Sequence, residues 1–145
     1  MGVDVVSGIF VLAREMRREI GEVMASEQWA LDAGFRPGCL GVVAVVAELG
    51  PVSQREISDH LGLDASDVVG VIDILEAAGM VERRRDPDDR RRHAVVLTGH
   101  GERAARRLQI LRSQVEARVL AGLDPDERRQ LADLLNRAAA GVPAR

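Results

Sequence analysis

The chain has 145 residues, of which 46% are hydrophobic and 30% are charged, and its formal net charge at pH 7 is −3. This composition excludes an intrinsically disordered chain, and the length suits a single domain with its own core. The acidic balance excludes a surface that is basic throughout, so any contact with nucleic acid requires a local basic patch.

The types of residue present also indicate the cellular compartment and the kinds of chemistry that the protein can perform. Cys39 is the single cysteine, which rules out an intrachain disulfide and suits a reducing compartment. The N-terminus carries no basic leader, and no apolar run reaches about 18 residues, so we expect a cytoplasmic protein without membrane contact. The histidines lack metal-ligand spacing, and the common catalytic and phosphate-binding motifs are absent. We therefore expect no metal, no cofactor and no enzymatic activity.

The chain begins with a predicted helix over residues 3–24, in which apolar side chains recur every three or four positions opposite a charged face. A long helix at a terminus has little of its own domain to lie on, so it often packs on a partner subunit. Gly34, Pro37 and Gly38 interrupt the pattern. A second predicted helix, over residues 38–49, is apolar nearly all round and should be buried.

Two short helices joined by a glycine-containing turn follow. Ser53 and Glu56 have the spacing of a capping box, which starts the first helix, and Gly62 ends it. The second helix is predicted from Asp64, as its N-cap, to Ala78. Its inward-facing residues are Val68, Val71, Ile72 and Leu75. Two such helices predict a helix-turn-helix.

A β-hairpin with arginines at its tip comes next. Residues 80–84 and 94–97 are short β-prone runs, and the aspartates around Pro87 predict the turn between them. Arg90, Arg91 and Arg92 lie together near that tip. Thr98 is a predicted N-cap for a long helix over residues 99–121, and a capping box at residues 124–127 starts a last helix that runs to about residue 140.

This order of elements closely resembles the MarR (multiple antibiotic resistance regulator) family of winged helix-turn-helix transcriptional regulators. Four segments carry the resemblance: Glu56–Leu63, Leu75–Arg83, the wing sequence Asp86–Arg91, and Leu97-Thr98 followed by Gly101. The resemblance implies a mainly α fold with a small β-hairpin wing. It implies one domain over residues 1–145, in which residues 36–98 form the DNA-binding lobe and residues 1–35 and 99–145 form dimerisation helices.

The resemblance further implies a homodimeric, ligand-responsive regulator, expected to be a repressor, that binds a pseudo-palindromic operator in double-stranded DNA. The second helix of the helix-turn-helix would enter the major groove, and the wing would reach the adjacent minor groove. Asp89 would pair with Arg91 and hold it in the minor groove. The candidate DNA contacts are Ser53, Gln54, Arg55, Ser66, Asp67, Val69, Gly70, Arg83, Arg84, Asp89, Arg90, Arg91 and Arg92.

The predicted recognition helix is unusual, because residues 64–79 contain four acids and no base. Phosphates would repel such a face, so the wing should supply most of the affinity. Asp67 could still accept a hydrogen bond from a cytosine amino group, and Gly70 would let the helix backbone approach the DNA. The acidic face leaves open an alternative, a winged-helix interaction protein with weak or no DNA binding.

The resemblance also implies a small effector that binds between the dimerisation helices and the DNA-binding lobe. Trp29, Phe35 and Cys39 fall where the first two helices meet, and Arg14, Arg17 or Arg18 could anchor a carboxylate or phenolate there, so we expect a small phenolic or carboxylate effector. The competing interpretation makes the two aromatic residues core and the arginines surface. Cys39 also raises the possibility of a thiol redox sensor, but the chain has no resolving cysteine, which favours a buried structural thiol.

Overall fold

The structure of the protein is a computed structural model, and it describes residues 2–36, 38–86, 88–89 and 91–142. Its elements are α1 (Val5–Ala25), α2 (Gln28–Asp32), α3 (Cys39–Leu49), β1 (Val52–Ser53), α4 (Gln54–Leu61), α5 (Ala65–Ala77), β2 (Val81–Arg85), β3 (His93–Leu97), α6 (Gly99–Val119) and α7 (Pro125–Ala140). The predicted mainly α fold with a β-hairpin wing is confirmed. The short helix α2 and the short strand β1 were not predicted.

The chain divides into two compact units. The larger comprises residues 21–111, and the smaller comprises the described residues within 1–20 and 112–145. Helices α1 and α6 contribute residues to both units. None of the helices in the described ranges is long and apolar enough to cross a membrane.

The core of the larger unit is aliphatic, as expected for a chain with three aromatic residues. Helix α3 is buried along most of its length, which matches its almost wholly apolar sequence. Helix α5 buries the four residues that its periodicity predicted, and each is at most 2% exposed. The fully buried positions in this core include Val42, Val43, Ile57, Val68, Ile72, Leu75 and Val95.

The wing belongs to a three-stranded antiparallel sheet in which β3 lies between β1 and β2. Val52 of β1 is opposite Val95 of β3. Strand β2 pairs with β3 from Val81 opposite Leu97 to Arg85 opposite His93. Strand β1 immediately precedes α4, so the sheet joins the base of the wing to the start of the helix-turn-helix.

The predicted helix caps are confirmed at three of four sites. Ser53 Oγ accepts the Glu56 backbone N–H at 3.2 Å, and the Glu56 carboxylate accepts the Ser53 backbone N–H at 2.8 Å. Asp124 and Glu127 form the same reciprocal pair at the start of α7. Thr98 caps α6 by accepting the Gly101 N–H at 3.0 Å. Asp64 is the N-cap residue of α5, but its side chain accepts no capping hydrogen bond.

Helix α5, strand β2 and helix α6 meet at the Met80 carbonyl. Gly79 ends α5 with a φ of 71°, a left-handed conformation that glycine adopts without strain. The Met80 carbonyl accepts the Thr98 backbone N–H at 3.0 Å, and the Thr98 hydroxyl donates to the Gly79 carbonyl at 2.6 Å. A Cβ atom on Gly101 would overlap the Met80 carbonyl oxygen. The first turn of α6 therefore requires glycine at position 101.

We predict that Gly101→Ala lowers the free energy of unfolding by about 3 kcal/mol, because the added methyl group meets backbone that cannot move aside without breaking the Thr98 bond. Urea unfolding followed by circular dichroism measures the change. Gly99→Ala is the matched control, since a Cβ there would meet Arg103 Nη1 at an ordinary 3.7 Å in the same helical turn. Equal unfolding midpoints for the two variants would contradict the proposed overlap.

Candidate nucleic-acid interface

The first helix of the helix-turn-helix begins beside the wing. Ser53, its N-cap, donates from its hydroxyl and its backbone N–H to Glu56, and these bonds hold the pKa of that carboxyl below its usual value. The Gln54 side-chain carbonyl accepts the Arg83 Nε–H at 3.0 Å. The Arg55 side chain is 89% exposed and lies 4.0 Å from Asp59. Arg55 is therefore the most accessible cation of this segment.

Arg83 is engaged within the fold, although the sequence suggested a DNA contact. Its Nη2 lies 2.6 Å from Asp73 Oδ1, and its Nη1 donates to Glu76. With the bond to Gln54, one guanidinium joins β2 to both helices of the helix-turn-helix. Its side chain is 22% exposed. Two of the four acids between residues 64 and 79 are thereby paired, which reduces the negative charge of α5.

The outer face of α5 presents the residues that the sequence placed at the major groove. Ser66, Asp67 and Val69 are exposed, and Val69 keeps 38% of its surface accessible. The space over Gly70 is occupied, contrary to the expectation that the bare backbone would face DNA. A Cβ there would lie 2.5 Å from Nη2 of Arg36, a residue that sequence reasoning did not assign to the interface.

The wing tip is organised by aspartates. Asp89 Oδ1 accepts the Arg91 backbone N–H at 2.9 Å, and its Oδ2 lies 3.6 Å from the Arg92 Nε. The carboxylate therefore holds Arg91 through its main chain and pairs with the neighbouring side chain, not with the Arg91 guanidinium as expected. Asp86 accepts the Asp88 backbone N–H at 2.8 Å. Pro87 and Arg90, which the sequence placed in this turn, lie outside the described residues.

The other arginines of the wing differ in whether a carboxylate pairs with the side chain. Arg84 is 65% exposed and pairs with Glu82 on its own strand. Arg85 and Arg91 are also exposed, and no carboxylate in the described ranges pairs with either side chain. Arg85 was not among the predicted contacts, although its place at the end of β2 beside the turn could have indicated it.

An open cleft connects the start of α4 with the base of the wing. The side chains that line it are Ser53, Gln54, Arg55, Glu56, Asp59, Arg83, Arg92 and His93. Strand β1 explains this arrangement, because it pairs with β3 and leads directly into α4. Five of the thirteen candidate DNA contacts therefore share one surface.

The residues predicted to bind an effector are distributed over both compact units. Trp29 and Phe35 pack edge to face, with ring centroids 5.3 Å apart. Cys39 is fully buried, and burial raises the pKa of its thiol. Arg14 and Arg18 belong to the smaller unit, where both pair with Glu15. Their role as an anion anchor stays a prediction. In the described residues, no cluster of side chains has the composition of a metal site.

Glu27 forms a contact that sequence reasoning missed. Its carboxylate accepts from Arg107 at 2.6 and 3.2 Å and from the Trp29 indole N–H at 2.5 Å. The Arg107 guanidinium and then the indole N–H hold the pKa of Glu27 below its ordinary value of 4.5. Eighty positions separate the two charged partners, so no local pattern indicates the pair.

The chain resembles known transcriptional regulators in both sequence and fold. A family model described as MarR family matches residues 33–92. The regulator YkoM of Bacillus subtilis, named as an HTH-type transcriptional regulator, is 34% identical over 105 residues, which are 72% of this chain and 68% of YkoM. A MarR family regulator from Rhodococcus sp. RHA1 superposes with a TM-score of 0.75 at 26% identity, covering 97% of this chain and 100% of that one. A Mycobacterium tuberculosis MarR family protein, solved in complex with DNA, has a TM-score of 0.73 at 19% identity, covering 94% and 98%.

We predict that Arg83→Ala lowers the free energy of unfolding by roughly 1–2 kcal/mol, because it removes the bonds to Gln54, Asp73 and Glu76 together. Arg83→Lys should restore only part of the loss, since an ammonium cannot span three partners as a guanidinium does. Arg84→Ala is the control on the same strand and should leave the urea midpoint unchanged. An Arg83→Ala midpoint equal to that of Arg84→Ala would contradict this role.

A second prediction concerns pH. Because the folded-state pKa of Glu27 is lowered, the unfolded chain binds more protons, and the pair adds stability above pH 4.5 that is lost as the pH falls through the folded-state pKa. The stability difference between wild type and Glu27→Gln should therefore be largest near neutral pH and shrink in acid. Urea unfolding at several pH values measures it, with the exposed Glu116→Gln as control. A difference that is independent of pH would contradict the ionic contribution.

Proposed function

The chain belongs to the MarR family of transcriptional regulators, and we propose that it acts as a homodimeric repressor that binds a pseudo-palindromic operator and releases it when a small effector binds. In this proposal residues 36–98 form the DNA-binding lobe, and residues 1–35 and 99–145 form the dimerisation helices. Half-sites would lie about one helical turn apart, as two-fold symmetric helix-turn-helix proteins require.

The exposed arginines of the wing are the observation that carries the proposal. Between residues 83 and 92 the chain holds six arginines and three aspartates. The aspartates form the turn, while the side chains of Arg85 and Arg91 pair with no carboxylate in the described ranges. A guanidinium on a narrow hairpin suits the minor groove, where A·T-rich DNA concentrates negative potential. The crystal structure of the M. tuberculosis MarR family protein in complex with DNA supports DNA binding by a chain of this fold.

Exposed apolar side chains on the terminal helices support the homodimer. On α1, Val5 is 78% exposed, Phe10 is 70% exposed and Ile9 is 52% exposed. On α7, Leu134 and Leu135 are 57% and 48% exposed. Neither helix buries a residue in the single chain. Large apolar side chains exposed on a helix that buries none of its residues are costly in water and are typical of a subunit interface.

An effector that binds one dimer geometry better than the other would shift the population between DNA-binding and released forms. We propose that the effector is a phenolic or carboxylate compound that binds near Trp29 and Phe35. A redox mechanism through Cys39 is less well supported, because the thiol is fully buried and its pKa is raised, so little thiolate forms.

The alternative, a winged-helix interaction protein with weak or no DNA binding, is supported by the acidic start of α5. Asp64 and Asp67 are exposed there, and neither forms an ion pair within the described part of the chain. The two functions differ in their response to salt. Affinity for DNA selected from genomic fragments should fall steeply as salt rises if the protein is a DNA-binding regulator. Absence of binding at low salt would favour the interaction protein.

We predict that Arg91→Ala weakens binding to the selected operator by roughly 1–3 kcal/mol, because it removes a cation from the minor groove. Fluorescence anisotropy with a labelled duplex measures the dissociation constant. Arg129→Ala, which removes an exposed arginine from α7, is the matched control and should bind as wild type does. Sedimentation velocity checks that each variant remains a dimer. Unchanged affinity of Arg91→Ala would rule out this role for the wing arginine.

A further inference from the structure

An arginine from a neighbouring loop, Arg36, lies against the recognition helix α5. The Arg36 guanidinium lies against Gly70 in the middle of α5: a Cβ at position 70 would be 2.5 Å from its Nη2 and 3.6 Å from its Cζ. An alanine methyl group and this guanidinium cannot occupy the same space, because Cβ atoms do not approach other heavy atoms so closely. A glycine inside a helix is unfavourable relative to alanine, so its presence here calls for a local reason. Room for Arg36 is such a reason.

The loop that carries Arg36 is closely fitted to α5. The Cys39 backbone N–H donates to the Arg36 carbonyl at 3.1 Å, and the Arg36 backbone N–H contacts the Cys39 sulfur at 3.5 Å. Gly38, with a φ of 99°, passes so near the helix that a Cβ there would lie 3.2 Å from Val71 Cγ2. The backbone N–H and carbonyl of Arg36 are thus both bound to Cys39, which is buried in the core. The base of the arginine is therefore fixed beside α5.

The guanidinium itself remains available. Arg36 is exposed, and no carboxylate in the described ranges forms an ion pair with it. Asp67 is three residues before Gly70 on α5, yet its carboxylate forms no ion pair with the Arg36 guanidinium. Residues 64–79 supply no cation of their own. Arg83 lies against α5 as well, but it is paired with Asp73 and Glu76, whereas no carboxylate in the described ranges pairs with the Arg36 side chain beside Gly70.

We propose that Arg36 binds a DNA phosphate beside the major groove when α5 enters it, and that Gly70 admits the guanidinium to this position. The proposal rests on the proposed DNA-binding function. A phosphate is the expected ligand because a neighbouring loop, not α5, carries the arginine, and most hydrogen bonds between proteins and DNA go to phosphate and sugar oxygens. A planar guanidinium can donate two parallel hydrogen bonds to phosphate oxygens.

Two variants test the proposal in complementary ways. Arg36→Ala removes the guanidinium. Gly70→Ala keeps it but displaces it, and alanine favours the helix, so this variant should unfold at the same temperature as wild type or higher. Both should bind the selected operator roughly tenfold more weakly by fluorescence anisotropy. The double variant should be no weaker than Arg36→Ala alone, because both changes act on one contact.

Salt dependence identifies the ligand. Loss of one phosphate contact in each protomer should reduce the slope of log affinity against log salt by about two for the dimer. Arg36→Lys keeps a cation and should retain most of the slope, while the Arg129→Ala control should match wild type. A loss of affinity confined to one operator base pair, with an unchanged slope, would overturn the phosphate assignment.

The failure of this proposal differs from the failure of the proposed function. If wild type binds the operator and both Arg36→Ala and Gly70→Ala bind with wild-type affinity and slope, Arg36 is no DNA contact, although the protein is a DNA-binding regulator. If wild type binds no DNA at low salt, the proposed function and this inference fail together. If Arg36→Ala does not fold, Gly70→Ala decides the matter, since wild-type affinity in that stable variant would overturn the proposal.

Discussion

The guanidinium of Arg83 joins the wing to both helices of the helix-turn-helix. It bonds to Gln54 at the start of α4 and to Asp73 and Glu76 on α5, while its own strand forms one side of the wing. The tight turn at Gly79 and the pairing of β2 with β3 bring residue 83 back beside residues 73 and 76. Few side chains could replace it, because its donors point in several fixed directions within one plane.

The bonds of Arg83 change how the negative charge of the recognition helix α5 is interpreted. Taken alone, four acids and no base indicate repulsion from DNA. In the folded chain, two of those acids anchor the wing to α5, so their charges are offset by Arg83. The cations that face outward come from neighbouring segments, namely the loop before α3 and the wing. The charge of the candidate interface therefore depends on several segments brought together by the fold and not on α5 alone.

The sequence was informative where the interactions are local. Helical periodicity predicted the inward face of α5, and residue spacing predicted the capping boxes at Ser53 and Asp124. It was uninformative where elements are very short: α2 has five residues and β1 has two, which is less than the length over which periodicity can be recognised. Side-chain pairs distant in sequence were also missed, because the partner of Glu27 is fixed by packing and not by spacing.

Gly70 and Gly101 show why the candidate site could be only partly predicted. Both are helical glycines, and the sequence does not show which atoms a side chain at either position would meet. A side chain at position 101 would meet a backbone carbonyl, which is bound to Thr98 and cannot yield, so that glycine is required for folding. A side chain at position 70 would meet the end of a flexible arginine, which can move aside at little cost to the fold. Stability alone therefore gives no reason to keep glycine at position 70, whereas the proposed phosphate contact of Arg36 does.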